Sequence, residues 1–98
     1  MAEEYIDKIL EERGAQYGDF ADLATLVQSI KVSISVHLSK NENFATLGRR
    51  QQAVIEEALD MILLKIGRLA VGDPTKKDTW DDIAGYALLP HKSMDRAE

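Results

Sequence analysis

The stretch LGRRQQAVIEEALDMILLKIGRLAV, residues 47–71, decides the fold. Ile55, Ala58, Leu59, Ile62, Ile66, Leu69 and Ala70 recur at helical spacing and predict a wide core face, which Met61 and Leu64 extend. A helix that is apolar on most sides sits at the centre of its domain. Gly72 ends this helix and Pro74 prevents its continuation.

The neighbouring elements follow from turn chemistry. On the C-terminal side, Asp78 can cap a helix that runs to about Leu89 and stops at Pro90, with Trp80, Ile83, Ala84, Ala87 and Leu88 facing the core. His91 to Glu98 has no buried pattern and reads as a flexible tail. On the N-terminal side, Ser39 to Thr46 is polar and reads as a loop. Before it, Leu23, Val27, Ile30, Ile34 and Leu38 form a helical stripe, with Asp19 as N-cap. Within the same stretch Val32, Ile34, Val36 and Leu38 alternate with Ser33, Ser35, His37 and Ser39, as a strand would. No other segment alternates, and a lone strand leaves its backbone unpaired, so the helix is preferred. It places Val32 and Val36 opposite the main stripe, where a dimer partner could cover them. A first helix spans Glu3 to Arg13, with Tyr5, Ile6, Ile9 and Leu10 on one face, Gly14 as the left-handed residue after its end and Gly18 allowing a second tight turn. Gly85, inside the last helix, predicts a close approach by another helix or a ligand. The expected fold is therefore all-α, a four-helix bundle-like subunit with a single helical domain over residues 1–90, associated as a dimer.

Composition sets limits on function. Twelve Lys and Arg against 17 Asp and Glu give a net charge of −5, which argues against general nucleic-acid binding, since that requires clustered cations. The absence of cysteine excludes disulfides, thiolate metal sites and Cys nucleophiles. The longest apolar run is Met61 to Leu64, too short to span a membrane, and the acidic N-terminus lacks a signal-peptide core. A soluble cytoplasmic protein is expected. A chain this small buries only about 60–65 % of its unfolded surface, so a dimer interface would add substantially to its stability.

Two acidic groups draw attention: Glu56, Glu57 and Asp60 on one helix, and Asp78, Asp81 and Asp82 on the next. Carboxylates three or four residues apart share a helix face. Two such faces turned together could hold Mg²⁺, whereas separate faces would simply be solvated or would cap helix ends. Lys65 and Arg68 interrupt an apolar helix. They could snorkel, pair with Asp82 or Asp60, or bind phosphate. Asp82 and Tyr86 lie four apart and suit a polar site. His37 and His91 are isolated and have no metal-ligand spacing.

Three segments carry a resemblance: Arg13-Gly14-Ala15-Gln16-Tyr17-Gly18-Asp19-Phe20, Met61 to Leu69, and above all Trp80-Asp81-Asp82-Ile83-Ala84-Gly85-Tyr86. In this order they resemble a family of small, functionally uncharacterised bacteriophage proteins. More distantly, the chain is similar to the MazG-like all-α nucleoside triphosphate pyrophosphohydrolases. Those enzymes hold Mg²⁺ with Glu-Glu-x-x-Glu on one helix and Glu-x-x-Asp on the next. Here Glu56, Glu57 and Asp60 stand at the first motif, and Thr79 and Asp82 at the outer positions of the second. The resemblance implies Asp60 and Asp82 as metal ligands; beside such a metal, Glu57 is the best candidate to orient water, and the chemistry of Lys65, Arg68 and Tyr86 suits them to nucleotide contacts. With Thr79 in place of a carboxylate, turnover is expected to be weak. Three function classes follow: a MazG-like enzyme, a non-catalytic nucleotide binder, and a phage protein that inhibits a host protein in the host cytoplasm. Nucleotide chemistry is preferred.

Overall fold

The structure is a computed structural model that describes residues 2–95, with side chains for all of these except 14–17 and 95. Helix α1 spans Ala2–Tyr17, α2 Phe20–Ser39, the one-turn α3 Glu42–Ala45, α4 Arg49–Val71 and α5 Lys77–Asp95. No strand occurs among the described residues, so the all-α expectation holds. None of these helices is long and apolar enough to cross a membrane.

Helix α4 is the centre. It packs against α5 on one side and α2 on the other, while α2 and α5 have no substantial contact with each other. On α2, the helical stripe prevails over the alternating pattern. Leu23 and Val27 are buried with Leu63, and Ile34, Leu64 and Val71 pack around them. The intervening polar side chains turn back on their own helix. Thr25 Oγ1 donates to the Ala21 carbonyl (2.8 Å), Ser29 Oγ to Leu26 (2.9 Å) and Ser39 Oγ to Val36 (2.6 Å), so none of these hydroxyls requires a partner strand. Asp19 caps α2 as expected, accepting from the Asp22 N–H at 3.0 Å.

Several boundaries differ from the sequence reading. Helix α1 continues through Gly14, and the left-handed residue is Gly18, with φ +81°. A Cβ there would collide with the Val71 carbonyl, so the α1–α2 turn is pressed against the end of α4. The 39–46 loop contains α3, capped by Asn41 and tied to α4 by Gln52 Nε2 donating to the Phe44 carbonyl at 2.9 Å. Asp78 lies in the first turn of α5 rather than at its cap. Pro90 does not stop α5. The helix runs on to Asp95, with Pro90 and Ser93 half-buried, so packing outweighs the lost backbone hydrogen bond. Of the expected tail, 91–95 is helical and 96–98 lies outside the described residues.

The core differs too. On α4, Ala58 and Leu69 are buried as expected, but the other buried positions are Leu63 and Gly67, and Ile66 is 46 % exposed. Trp80 and Leu88, expected inside, are more than half exposed. The close approach expected at Gly85 occurs at Gly67 instead. A Cβ on Gly67 would lie 2.6 Å from Leu23 Cδ1 and 2.7 Å from Val27 Cγ2, while one on Gly85 would meet nothing within 4 Å.

Gly67→Leu should therefore lower stability by about 1–3 kcal/mol through overpacking. Gly85→Ala should raise it by up to about 1 kcal/mol through helix propensity. Urea denaturation of both variants checks the pair.

Candidate functional site

Along the seam between α4 and α5, the one-turn-spaced positions 57, 61, 65 and 68 of α4 run beside the flank of α5 that carries Asp82 and Leu89. The α4–α5 turn is built from Asp73-Pro74-Thr75. Asp73 Oδ1 accepts from the Thr75 N–H (2.9 Å) and from Thr75 Oγ1 (2.6 Å), and Lys76 N–H donates to the Asp73 carbonyl (3.2 Å). The Thr75 hydroxyl and N–H hold the Asp73 carboxyl below the usual carboxylate range. The turn is thus strongest above that range and weakens as pH falls through it. From the far side, the Trp80 indole N–H donates to the Pro74 carbonyl at 2.9 Å. This turn fixes Lys76 above the start of α5.

The result is a groove of about 470 Å³ lined by Lys65, Arg68, Lys76, Asp78, Thr79, Asp81 and Asp82. Three cations and three carboxylates face a common space, with Thr79 buried beneath them. Lys65 Nζ lies 2.9 Å from Asp82 Oδ2, the ion pair that the sequence offered as one reading of these residues. The Lys65 side chain is 15 % exposed and that of Asp82 49 %, so the ammonium is largely desolvated and the carboxylate reaches water.

The predicted site residues divide among three grooves. Lys65, Arg68 and Asp82 come together as described. Asp60 points toward α2, pairs with Lys31 (Nζ–Oδ2 3.4 Å) and lines a cavity of about 130 Å³ that contains Glu56. Glu57 and Tyr86 line a wider, mostly apolar stretch of the α4–α5 seam, with Val54, Met61 and Leu89. Asp60 and Asp82 therefore line different grooves. Among the described residues, no group of three or more acidic or histidine side chains is arranged to hold a metal ion. The reason lies in helical geometry: Asp60 is three residues after Glu57, roughly 60° around the helix, which turns it to the α2 side. Sequence reasoning missed Lys76. The signal was the Lys76-Lys77 pair directly after the Asp73-Pro74 turn, which places cations at a helix start.

Because Asp82 is half in solvent, its attraction to Lys65 is partly screened. Asp82→Ala should cost about 1 kcal/mol, or roughly 4–8 °C in Tm for a domain of this size, rather than the 3–5 kcal/mol typical of breaking a fully buried pair. Thermal denaturation followed by circular dichroism measures the difference.

Comparison with known proteins gives one result for identity. No curated protein and no solved structure matches the chain. A family match covers residues 2–93, which takes in every helix that forms the groove. The chain belongs to the family described as domain of unknown function DUF6378.

Proposed function

We propose that this protein binds a nucleoside di- or triphosphate in the α4–α5 groove, and that it does so as a homodimer. One observation carries the reading: Lys65, Arg68 and Lys76 line the same groove as Asp78, Asp81 and Asp82. Planar guanidinium and flexible ammonium groups on one side suit phosphate oxygens. Carboxylates on the other suit a hard cation that travels with those phosphates. The resemblance to MazG-like pyrophosphohydrolases supports the same ligand class.

Mg²⁺ would supply charge neutralisation between the phosphates and the acidic wall. It enters with the nucleotide rather than as a resident ion, because a subunit with no ready-made ligand cage can contribute only one or two carboxylates, and Mg²⁺ tolerates that when phosphates and waters complete its shell. Asp82 is the first candidate ligand, with Asp60 left to its pairing with Lys31. Turnover is weak in this reading. Glu57, the residue suggested for orienting water, lines the neighbouring stretch of the seam, and Thr79 is a neutral group where the resembling enzymes carry a carboxylate. The protein is then a nucleotide binder first.

Titration calorimetry with nucleoside mono-, di- and triphosphates, with and without Mg²⁺, tests this. Di- or triphosphates should bind in a Mg²⁺-dependent manner, with no binding of Mg²⁺ alone. Arg68→Gln should weaken binding at least about tenfold by removing a charge-assisted hydrogen bond. Asp82→Asn should reduce the Mg²⁺ dependence, and Lys31→Ala, in the other groove, should have no effect. No binding by the folded dimer across the panel would overturn the proposal.

A further inference from the structure

Helix α4 has a fourth side that the subunit covers only in part: Ile55, Leu59 and Ile62 are half-buried, and Ile66 and Ala70 are exposed. Ile55, Leu59, Ile62, Ile66 and Ala70 follow each other at intervals of three and four, so they form a stripe offset by two residues, roughly 200° around the helix, from 57, 61 and 68. No charged residue falls on this stripe, whereas the opposite one carries Glu57 and Arg68. By helical spacing, Leu26 and Ile30 of α2 lie on the flank away from Lys31 and Asp60, and Trp80 and Met94 of α5 on the flank away from Asp82 and Leu89. Ile66 and Trp80 are 46 % and 54 % exposed.

The subunit as a whole also exposes too much surface to be complete. Its accessible area is 7642 Å², against about 5,600 Å² for a compact monomer of 10.9 kDa. Its radius of gyration is 16.6 Å, against about 12.6 Å for a globule of this length. No side chain among the described residues is both large and fully buried. The cause is architectural. Helix α1 is exposed along residues 2–13 apart from half-buried Ile9, and α2 and α5 each pack on α4 but hardly on each other, which leaves an apolar side of α4 for a second layer to bury.

We infer that the second layer is another copy of this chain, docked face to face on the α4 stripe. The excess of about 2,000 Å² per copy amounts to about 4,000 Å² for two, within the range of obligate homodimer interfaces. An uncharged centre is what such interfaces require. Helix α1 contributes to the excess through exposed Tyr5, Ile6 and Leu10, and can reach across the joined layers. The inference identifies the face rather than only the oligomeric state, and it moves the contact from the Val32–Val36 edge of α2 to the α4 stripe. It rests on area and charge, not on nucleotide binding. With this face buried, both α4–α5 grooves lie on the outside.

Sedimentation velocity of the full chain and acrylamide quenching of Trp80, the one tryptophan, test it together. The wild type should sediment at twice 10.9 kDa, with Trp80 shielded from acrylamide. Ile66→Glu should halve the mass and expose Trp80, while Val32→Glu, at a position 62 % exposed on the far edge of α2, should change neither. If Ile66→Glu fails to fold, the wild type still decides: a dimer with shielded Trp80 supports the face. A monomer, or a dimer whose Trp80 is quenched as freely as a half-exposed indole, overturns it.

Discussion

The contact between Gly67 on α4 and Leu23 and Val27 on α2 sets the arrangement of the rest. Because Gly67 has no side chain, α2 can approach the backbone of α4, with Leu23 and Val27 filling the space that a Cβ would occupy. That approach commits the 60, 63 and 67 side of α4 to α2. Ala58 and Leu69, buried elsewhere on the same helix, accompany its packing on α5. Two sides are left, one polar at its Arg68 end and one wholly apolar. A single helix thus defines a core, a groove and an apolar face that the subunit covers only in part. Both of those sides stay open because α2 and α5 each contact α4 but hardly each other.

The four long helices were legible in the sequence because apolar spacing is a local property, whereas the one-turn α3 fell in a polar stretch that reads as a loop. Asp19 and the stripe from Leu23 to Ile34 behave as their pattern implies. The alternating Val32–Ser39 segment was a true ambiguity. It is resolved by the packing of Ile34 against the Leu23, Val27 and Leu63 cluster and by Ser39, whose hydroxyl donates back to the Val36 carbonyl. The burial of each stripe was not legible. Of the periodic face that a sequence reading assigns to the core, Ala58 and Leu69 are buried, yet Ile55, Leu59 and Ile62 are only partly covered, Ile66 is exposed, and the remaining buried positions are Leu63 and Gly67. Periodicity shows that a face is apolar without showing whether the same chain covers it. Pro90 and Gly14 failed as punctuation for a related reason: helices α1 and α5 continue past residues that usually end them, and the φ-positive turn falls to Gly18, where the backbone of α4 leaves no room for a Cβ.

At the site, the pairing of Lys65 with Asp82 was within reach, because a cation in an apolar helix requires a carboxylate from the adjacent one. The convergence of Asp60 with Asp82 was not, because it depends on how α4 is rotated between its neighbours. Lys76 entered the groove through the Asp73–Thr75 turn, whose hydrogen bonds place it above α5. The groove is therefore assembled from a helix face, a helix start and the turn between them.

The central claim is that this assembled groove is where the protein meets its ligand. Backbone amide shifts of isotopically labelled protein, recorded by NMR while a nucleoside diphosphate and Mg²⁺ are added, test it residue by residue. The account predicts that the shifts concentrate at Lys65, Arg68 and Lys76 to Asp82 and leave Lys31, Ser35 and Asp60 unchanged. Shifts centred on Lys31 and Asp60, or absent throughout, would contradict it.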